Sequence, residues 1–369
     1  MSARVRTLAM PKWGMTMTEG KVAAWLKAEG EAIARGEELV EIETDKIANA
    51  VEAEAAGTLR RILVHPGETA PCGAAIALLA AEDVSEAEIE AAAEAARGAA
   101  PEAAAEAGPE ARRVEAGGLS LNVVSEGAGD GAPAVLLHGF GSDAGAWMFV
   151  QGPLAERRAV HAVELPSHGA SDVRPDLAGL GDLSDAVAAA VDAVAPGRVH
   201  LVGHSLGGRI ALRLAALWGE RVASLALVAP AGLGGPPSAA FLDAFLAAER
   251  RRPMKEALRM LVADEAAVRS EMVERALAAR RADGMPDALR AIRAACLDGD
   301  RAAEGVEADL RATSAPVLVI RGAADRVIPA APLPPGLSVV DLPEAGHMPQ
   351  MEAPGAVADL LRAHWEEAS

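Results

Sequence analysis

Laying Trp25 to Ile42 over Ile62 to Leu79, an offset of 37 residues, superimposes two stretches of this chain. Gly20, Gly30 and Gly36 fall on Gly57, Gly67 and Gly73, Leu26 on Leu63, Glu31 on Glu68 and Leu39 on Ile76. Glycines at fixed offsets among short strand-like segments mark corners that need a positive φ, so each half should be the same small set of strands turned at the same places. Two such halves predict a pseudo-symmetric all-β sandwich. Glu43 to Ala50 lies between them, and the symmetry puts it at a tight turn projecting from one end, with Lys46 exposed at the tip.

A sandwich of this size uses only residues 1–80 of 369, leaving enough chain for a second core. Residues 81–112 are rich in alanine and glutamate and are interrupted by Gly98, Pro101, Gly108 and Pro109, which reads as a linker with at most a local helix over Glu86 to Arg97. Such a linker spans roughly 48 Å if wholly helical or about 30 Å as a coil, and either length leaves the front domain mobile. From Arg113 the pattern becomes a hairpin around Gly117-Gly118, then the apolar runs Ala134 to Leu137, Ala159 to Val163, Val199 to Val202, Val222 to Val228 and Val317 to Ile320. Short runs that are apolar on both faces and separated by helix-length segments predict a parallel sheet covered by helices, an α/β domain over 113–369. Between about 233 and 310 the sequence is charged, alanine-rich and strandless, which predicts a helical cap.

Gly203-His204-Ser205-Leu206-Gly207 follows one apolar run and precedes a helix-compatible segment, the strand–turn–helix setting in which a serine is lifted off a sheet as a nucleophile. A serine hydroxyl needs a base, and the base an orienting carboxylate. His347, in Glu344-Ala345-Gly346-His347-Met348, and Asp325, in Gly322-Ala323-Ala324-Asp325-Arg326, are the candidates, against a plain loop histidine and a turn-forming aspartate. The order Ser205, Asp325, His347 is similar to that of α/β-hydrolases, as are His138-Gly139-Phe140-Gly141 and the segment Leu165 to Ser171. That resemblance covers 113–369 and implies an oxyanion hole from the backbone amides of Phe140 and Leu206. His138 and His204 read as structural or pocket-shaping, while His161, Glu164, His168 and Asp172 receive no role.

The front domain resembles the lipoyl domains of 2-oxo acid dehydrogenase complexes through Met10-Pro11-Lys12, Gly14-Met15-Thr16, Glu19-Gly20, Gly30, Gly36 and Glu43-Thr44-Asp45-Lys46. Biotin carriers usually flank their lysine with methionines, whereas Asp45 and Ile47 flank Lys46, so the resemblance implies lipoate rather than biotin, amide-linked to Lys46. Otherwise Lys46 is an ordinary surface lysine. A lipoyl domain joined to an α/β-hydrolase domain is similar to the dihydrolipoyl acetyltransferase components of acetoin dehydrogenase systems. The resemblance implies transfer of an acetyl group from the arm to coenzyme A. The implied partners are thiamine-diphosphate-dependent acetoin-cleaving subunits, a flavin-dependent dihydrolipoyl dehydrogenase and a lipoate-attaching enzyme. Two features depart from the wider acyltransferases: no histidine is followed by Asp-Gly in a His-x-x-x-Asp-Gly arrangement, and 81–112 does not resemble their small subunit-binding domain. Two rivals stand beside this reading, a thioesterase or esterase with a tethered carrier, and a carrier with a silent scaffold.

The net charge of −18 opposes nucleic acid and anionic membrane as partners. Cys72 and Cys296 are too few for a disulfide framework and form no zinc motif, the first residues hold no apolar run of signal-peptide length, and no stretch is apolar enough to span a membrane. A cytoplasmic setting is expected, and no metal. For phosphates, Arg209, Arg213 and Arg250-Arg251-Arg252 are candidates, with solvated helix charges as the simpler reading.

Overall fold

In a computed structural model, the chain is described over residues 5–11, 19–34, 37–43, 48–53, 56–81, 83–98 and 109–368. It divides into two compact units, Met1–Ala107 and Gly108–Ser369.

The front unit has eight strands among its described residues: β1 (Val5–Ala9), β2 (Glu19–Trp25), β3 (Ala32–Ile33), β4 (Glu38–Glu43), β5 (Ala48–Glu52), β6 (Gly57–Ile62), β7 (Thr69–Pro71) and β8 (Ala75–Ala80). They form two four-stranded sheets, β1-β8-β6-β3 and β5-β4-β2-β7. Exchanging β2 with β6, β3 with β7, β4 with β8 and β5 with β1 turns one order into the other. The sequence repeat is therefore a structural twofold, and it extends to single bonds. Leu26 N donates to Leu39 O as Leu63 N donates to Ile76 O, and Gly30 N donates to Leu59 O as Gly67 N donates to Val22 O. The Glu31 carboxylate accepts from Ala28 N at 2.8 Å and that of Glu68 from His65 N at 2.6 Å. Gly30 and Gly67 turn at φ 90° and 89°, a region that costs a residue with a Cβ. Val22, Leu39, Ile42, Leu59 and Ile76 fill the space between the sheets. β4 and β5 close with Glu43 opposite Ala48, and the connection 44–47, with Lys46, lies outside the described residues. So do Lys12, Gly14, Met15, Thr16 and Gly36.

Of the segment 81–112, expected as a linker with at most a local helix over Glu86 to Arg97, the described residues include that helix. Helix α1 (Glu86–Gly98) belongs to the front unit, where Val84, Ile89 and Ala93 are buried with Leu78 and Ala80 of β8. Ser85 and Glu88 cap it reciprocally, Glu88 N donating to Ser85 Oγ and Ser85 N to the Glu88 carboxylate. Arg60 and Arg61 of β6 reach Glu86 and Glu90 at 2.7 and 2.8 Å. A narrow apolar stripe and a cap are enough to hold a helix against a sheet even in an alanine–glutamate background.

The second unit is an eight-stranded sheet in the order β16-β15-β14-β13-β11-β12-β10-β9. The strands are β9 (Glu110–Ala116), β10 (Leu119–Glu126), β11 (Ala134–Leu137), β12 (Val160–Val163), β13 (Val199–His204), β14 (Val222–Val228), β15 (Val317–Gly322) and β16 (Ser338–Leu342). β9 starts at Glu110, before the expected Arg113, because its pairing with β10 continues to Glu110 opposite Ser125. β11 to β16 run parallel, with β10 antiparallel to β12. β16 lacks the continuous apolar run of the central strands because it is an edge strand with no fully buried residue.

Alternate residues of these strands enter two cores. Val135, Leu137, Leu201, Leu225, Leu227 and Val319 face α3 (Leu180–Val194) and α4 (Leu206–Trp218), and Leu136, Val202, Val228 and Ile320 face Trp147 and Trp365. Five helices stand between β14 and β15: α5 (Ala239–Ala247), α6 (Arg251–Arg259), α7 (Ser270–Ala279), α8 (Met285–Cys296) and α9 (Val306–Ala312). No described helix is long and apolar enough to cross a membrane.

Candidate active site

The parallel register aligns the C-terminal ends of β13, β14, β15 and β16: His204 lies opposite Val228, Val228 opposite Ile320, and Gly322 opposite Leu342. Loops leaving these ends carry Ser205, Asp325 and His347, so residues far apart in sequence reach one rim of the sheet.

Ser205 is the pivot between β13 and α4, at φ 52° and ψ −116°. A residue with a Cβ resists this conformation, and it holds because the surrounding chain is packed too tightly to relax. A Cβ on Gly203 would stand 2.3 Å from Gly207 O, and one on Gly207 would stand 2.4 Å from Leu137 O and 2.5 Å from His138 O. Both glycines are thus required by close backbone approach. Leu206 is the first residue of α4, so its amide has no acceptor within the helix.

His347 Nδ1 lies 2.8 Å from Asp325 Oδ2, and both side chains are almost fully buried. Asp325 is itself held, its Oδ1 accepting from Val327 N at 2.7 Å and Ile328 N at 2.9 Å. Burial pushes the Asp325 carboxyl upward, but the His347 hydrogen bond and charge and these two amides outweigh it, leaving the carboxyl below its ordinary value and ionised at neutral pH. With Asp325 accepting at Nδ1, the His347 Nε2 is left as the proton acceptor. His347 packs beside the elbow, its ring centroid 4.9 Å from that of His204, and its carbonyl accepts from His204 Nε2 at 2.7 Å. Among the described residues no hydrogen bond joins Ser205 Oγ to the His347 ring; in sites of this kind that contact often tightens only when substrate binds.

The other histidines take structural places. Burial, reinforced by His347, lowers His204 to about 3, so it stays neutral while tying the elbow to the histidine loop. His138 accepts from Leu165 N at 3.0 Å through Nε2, and its Nδ1 lies 2.8 Å from Gly139 O, fixing the loop that carries Phe140. Gly139 runs so close to the elbow that a Cβ there would stand 3.1 Å from the Ser205 Cβ. The four unassigned residues are framework: Glu164 receives the amides of Ala144 and Ala170, and Asp172 that of Ser120. His161 pairs with Ser125 Oγ at 2.9 Å, and His168 Nδ1 lies 2.9 Å from Pro166 O. Arg209 is excluded from phosphate binding, being buried in an ion pair with Asp309 at 2.7 Å and donating to Glu304 O.

One site residue carries no sequence motif and emerges only from the fold. Glu352 accepts from Gly346 N at 2.8 Å and Met348 N at 3.2 Å, on either side of His347, and from Ala263 N of the cap at 2.6 Å. Cap and histidine loop also meet where His347 N donates to Leu261 O at 2.8 Å, and Phe245 of α5 packs edge-on against Phe140 with centroids 6.0 Å apart. The signal was Pro349 followed by an acid one turn into a short helix, α10 (Pro349–Glu352), whose first amides need an acceptor.

The profile of the Alpha/beta hydrolase family matches residues 134–360, and that of the biotinyl and lipoyl domains, described as "Biotin-requiring enzyme", matches 6–79. The dihydrolipoyllysine-residue acetyltransferase component of the acetoin cleaving system of Pseudomonas putida is 42% identical over 368 residues, covering 98% of both chains. Its counterpart in Cupriavidus necator is 38% identical, covering 99% of this chain and 98% of that one. The chain belongs to this acetyltransferase-component family. The α/β-hydrolase unit of this family member also resembles the 2-hydroxy-6-oxo-6-phenylhexa-2,4-dienoate hydrolase of a Rhodococcus strain, with a TM-score of 0.63 at 25% identity, covering 70% of this chain and 99% of that structure.

Proposed function

We propose that the protein is the dihydrolipoyllysine-residue acetyltransferase of an acetoin-cleaving system, moving an acetyl group from a dihydrolipoyl arm on Lys46 to coenzyme A through Ser205, His347 and Asp325. One observation carries this reading: a buried Asp325–His347 pair packed beside an elbow serine, in a chain whose whole length matches acetyltransferase components. The lipoyl-type unit supplies the carrier, and the β4–β5 connection that includes Lys46 is the hairpin end such a carrier uses. Lipoate, when bound there, supplies the thiol that bears the acetyl group as a thioester.

His347 Nε2 takes the Ser205 proton as Oγ attacks the thioester carbonyl, and the amides of Phe140 and Leu206 receive the developing oxyanion. Asp325 holds the ring in the productive tautomer and stabilises its charged form. Collapse breaks the carbon–sulfur bond, His347 returns the proton to the departing thiolate, and Ser205 keeps the acetyl group. His347 then takes the coenzyme A thiol proton as that sulfur attacks, and gives it back to Ser205 Oγ.

The same groups deliver an acetyl-serine to water if water reaches it first, and likeness to the Rhodococcus hydrolase favours holding this thioesterase route as the second reading. Thiamine-diphosphate-dependent acetoin-cleaving subunits load the arm in this scheme, a flavin-dependent dihydrolipoyl dehydrogenase reoxidises it, and a lipoate-attaching enzyme installs it, all in the cytoplasm. Mass spectrometry of the acetylated holoprotein quenched before coenzyme A is added tests the route. An addition of about 42 Da on the peptide containing Ser205 is the expected mass of one acetyl group replacing a hydrogen; its absence, with transfer still proceeding, removes the covalent step.

A further inference from the structure

The cap holds a cavity of about 490 Å3 between α6 and α7, lined by Arg251, Arg252, Lys255 and Arg259 together with Glu256 and Ser270. Four cations around one concavity stand out on a protein of net charge −18. Arg251, Lys255 and Arg259 are spaced four apart and share a helix face, where like charges oppose helix formation, and Arg250 to Arg252 stand at the end of α6 where the helix dipole also disfavours positive charge. Their acidic partners, Glu274 for Arg251, Glu256 for Arg252 at 3.1 Å and Glu265 for Arg259 at 3.5 Å, are exposed, and pairs of that kind contribute little and exchange readily. The arrangement is costly for folding and suited to a multiply charged anion.

The cavity also lies at a particular distance from the chemistry. α6 runs from Arg251 to Arg259, about 12 Å of helix rise. Directly beyond its end, Leu261 O accepts from His347 N at 2.8 Å, and Arg326, next to Asp325, donates to Val262 O at 2.9 Å. The cations therefore stand between about one and three helical turns from the His347 loop. The pantetheine arm of coenzyme A, about four peptide-residue lengths of chain, spans roughly 14 Å when extended.

We propose that this α6–α7 cavity binds the phosphorylated adenosine end of coenzyme A, so that the pantetheine arm runs along the end of α6 and brings its thiol to His347. The assignment rests on the transfer reading above for its choice of ligand and names the contacts for which that reading has no motif. Arg and Lys donors take phosphate through charge-assisted hydrogen bonds, and Ser270 adds a neutral one.

The test is calorimetric titration of the full-length protein with adenosine 3′,5′-bisphosphate, in wild type and in an Arg252→Ala/Lys255→Ala double variant, beside steady-state transfer to coenzyme A and to pantetheine. The expected result is binding to wild type weakened about tenfold to a hundredfold in the variant, with the preference for coenzyme A over pantetheine falling by a similar factor. Both effects should shrink with added salt. No binding to wild type, or equal binding and an unchanged thiol preference in the variant, overturns the site. If neither thiol accepts acetyl from the wild-type protein, the transfer reading itself fails; nucleotide binding that still depends on Arg252 and Lys255 would then support an adenosine–phosphate site without that reading.

Discussion

Ser205 and its two glycine neighbours were legible in the sequence because the elbow's strain is local: a backbone near φ 52° between packed turns admits few residue types on either side. His347 and Asp325 were legible only as a spacing pattern, since their 2.8 Å contact joins loops after two different strands. Glu352 left only a faint sign in the sequence, an acid one turn after Pro349, because a carboxylate that works by gathering backbone amides leaves little mark beyond its own letter. Its position implies a consequence for rate. Glu352→Ala removes the acceptor shared by the amides flanking His347, so kcat for acetyl transfer should fall about tenfold to a hundredfold with little change in KM, as small displacements of a base do. Wild-type kcat in a folded variant would show that the loop is held without it.

Among the elements, the repeated strands were readable because each corner and each core position occurs twice, and even the Glu31 and Glu68 side-chain bonds recur. The parallel strands were readable from continuous apolar runs. One element was not: β16 is half exposed at the sheet edge, so its burial leaves a weak pattern, although its loop carries His347. α1 was expected as a local helix over Glu86 to Arg97, but its packing onto the sheet was not, because Ile89 and Ala93 form a stripe one residue wide among alanines and glutamates. Ile89 is fully buried, and truncating it to alanine should cost about 2–4 kcal/mol. Hydrogen exchange in the full chain reads this directly, as faster exchange at β8 amides around Leu78 and Ala80. Unchanged exchange there would mean that α1 does not protect the sheet.

For the molecule as a whole, the change in pattern between residues 79 and 134 separates a carrier from a catalytic unit, and the two family profiles fall on either side of it. The catalytic unit is also poised against acid. Burial holds His168, His200 and His204 at about 3, far below an unfolded histidine. Between about 6.5 and 3 the unfolded chain binds protons that the folded one does not, so stability falls as pH falls, by roughly 2 kcal/mol for each such histidine at pH 5. Asp325, whose carboxyl is depressed, adds stability that is retained at these pH values and lost only as pH drops through its folded value. Guanidinium midpoints at pH 7 and pH 5 should therefore differ clearly, with the lower midpoint at pH 5; equal midpoints would refute the assignment of neutral buried histidines. The central claim is that Ser205 passes acetyl from the arm to coenzyme A, and its most direct test is a single turnover of lipoylated protein acetylated at Lys46, with coenzyme A, in wild type and Ser205→Ala. Acetyl-coenzyme A formed by wild type and lost by at least about a thousandfold in Ser205→Ala is the expected result. Free acetate as the Ser205-dependent product, or acetyl-coenzyme A formed equally well without Ser205, would contradict it.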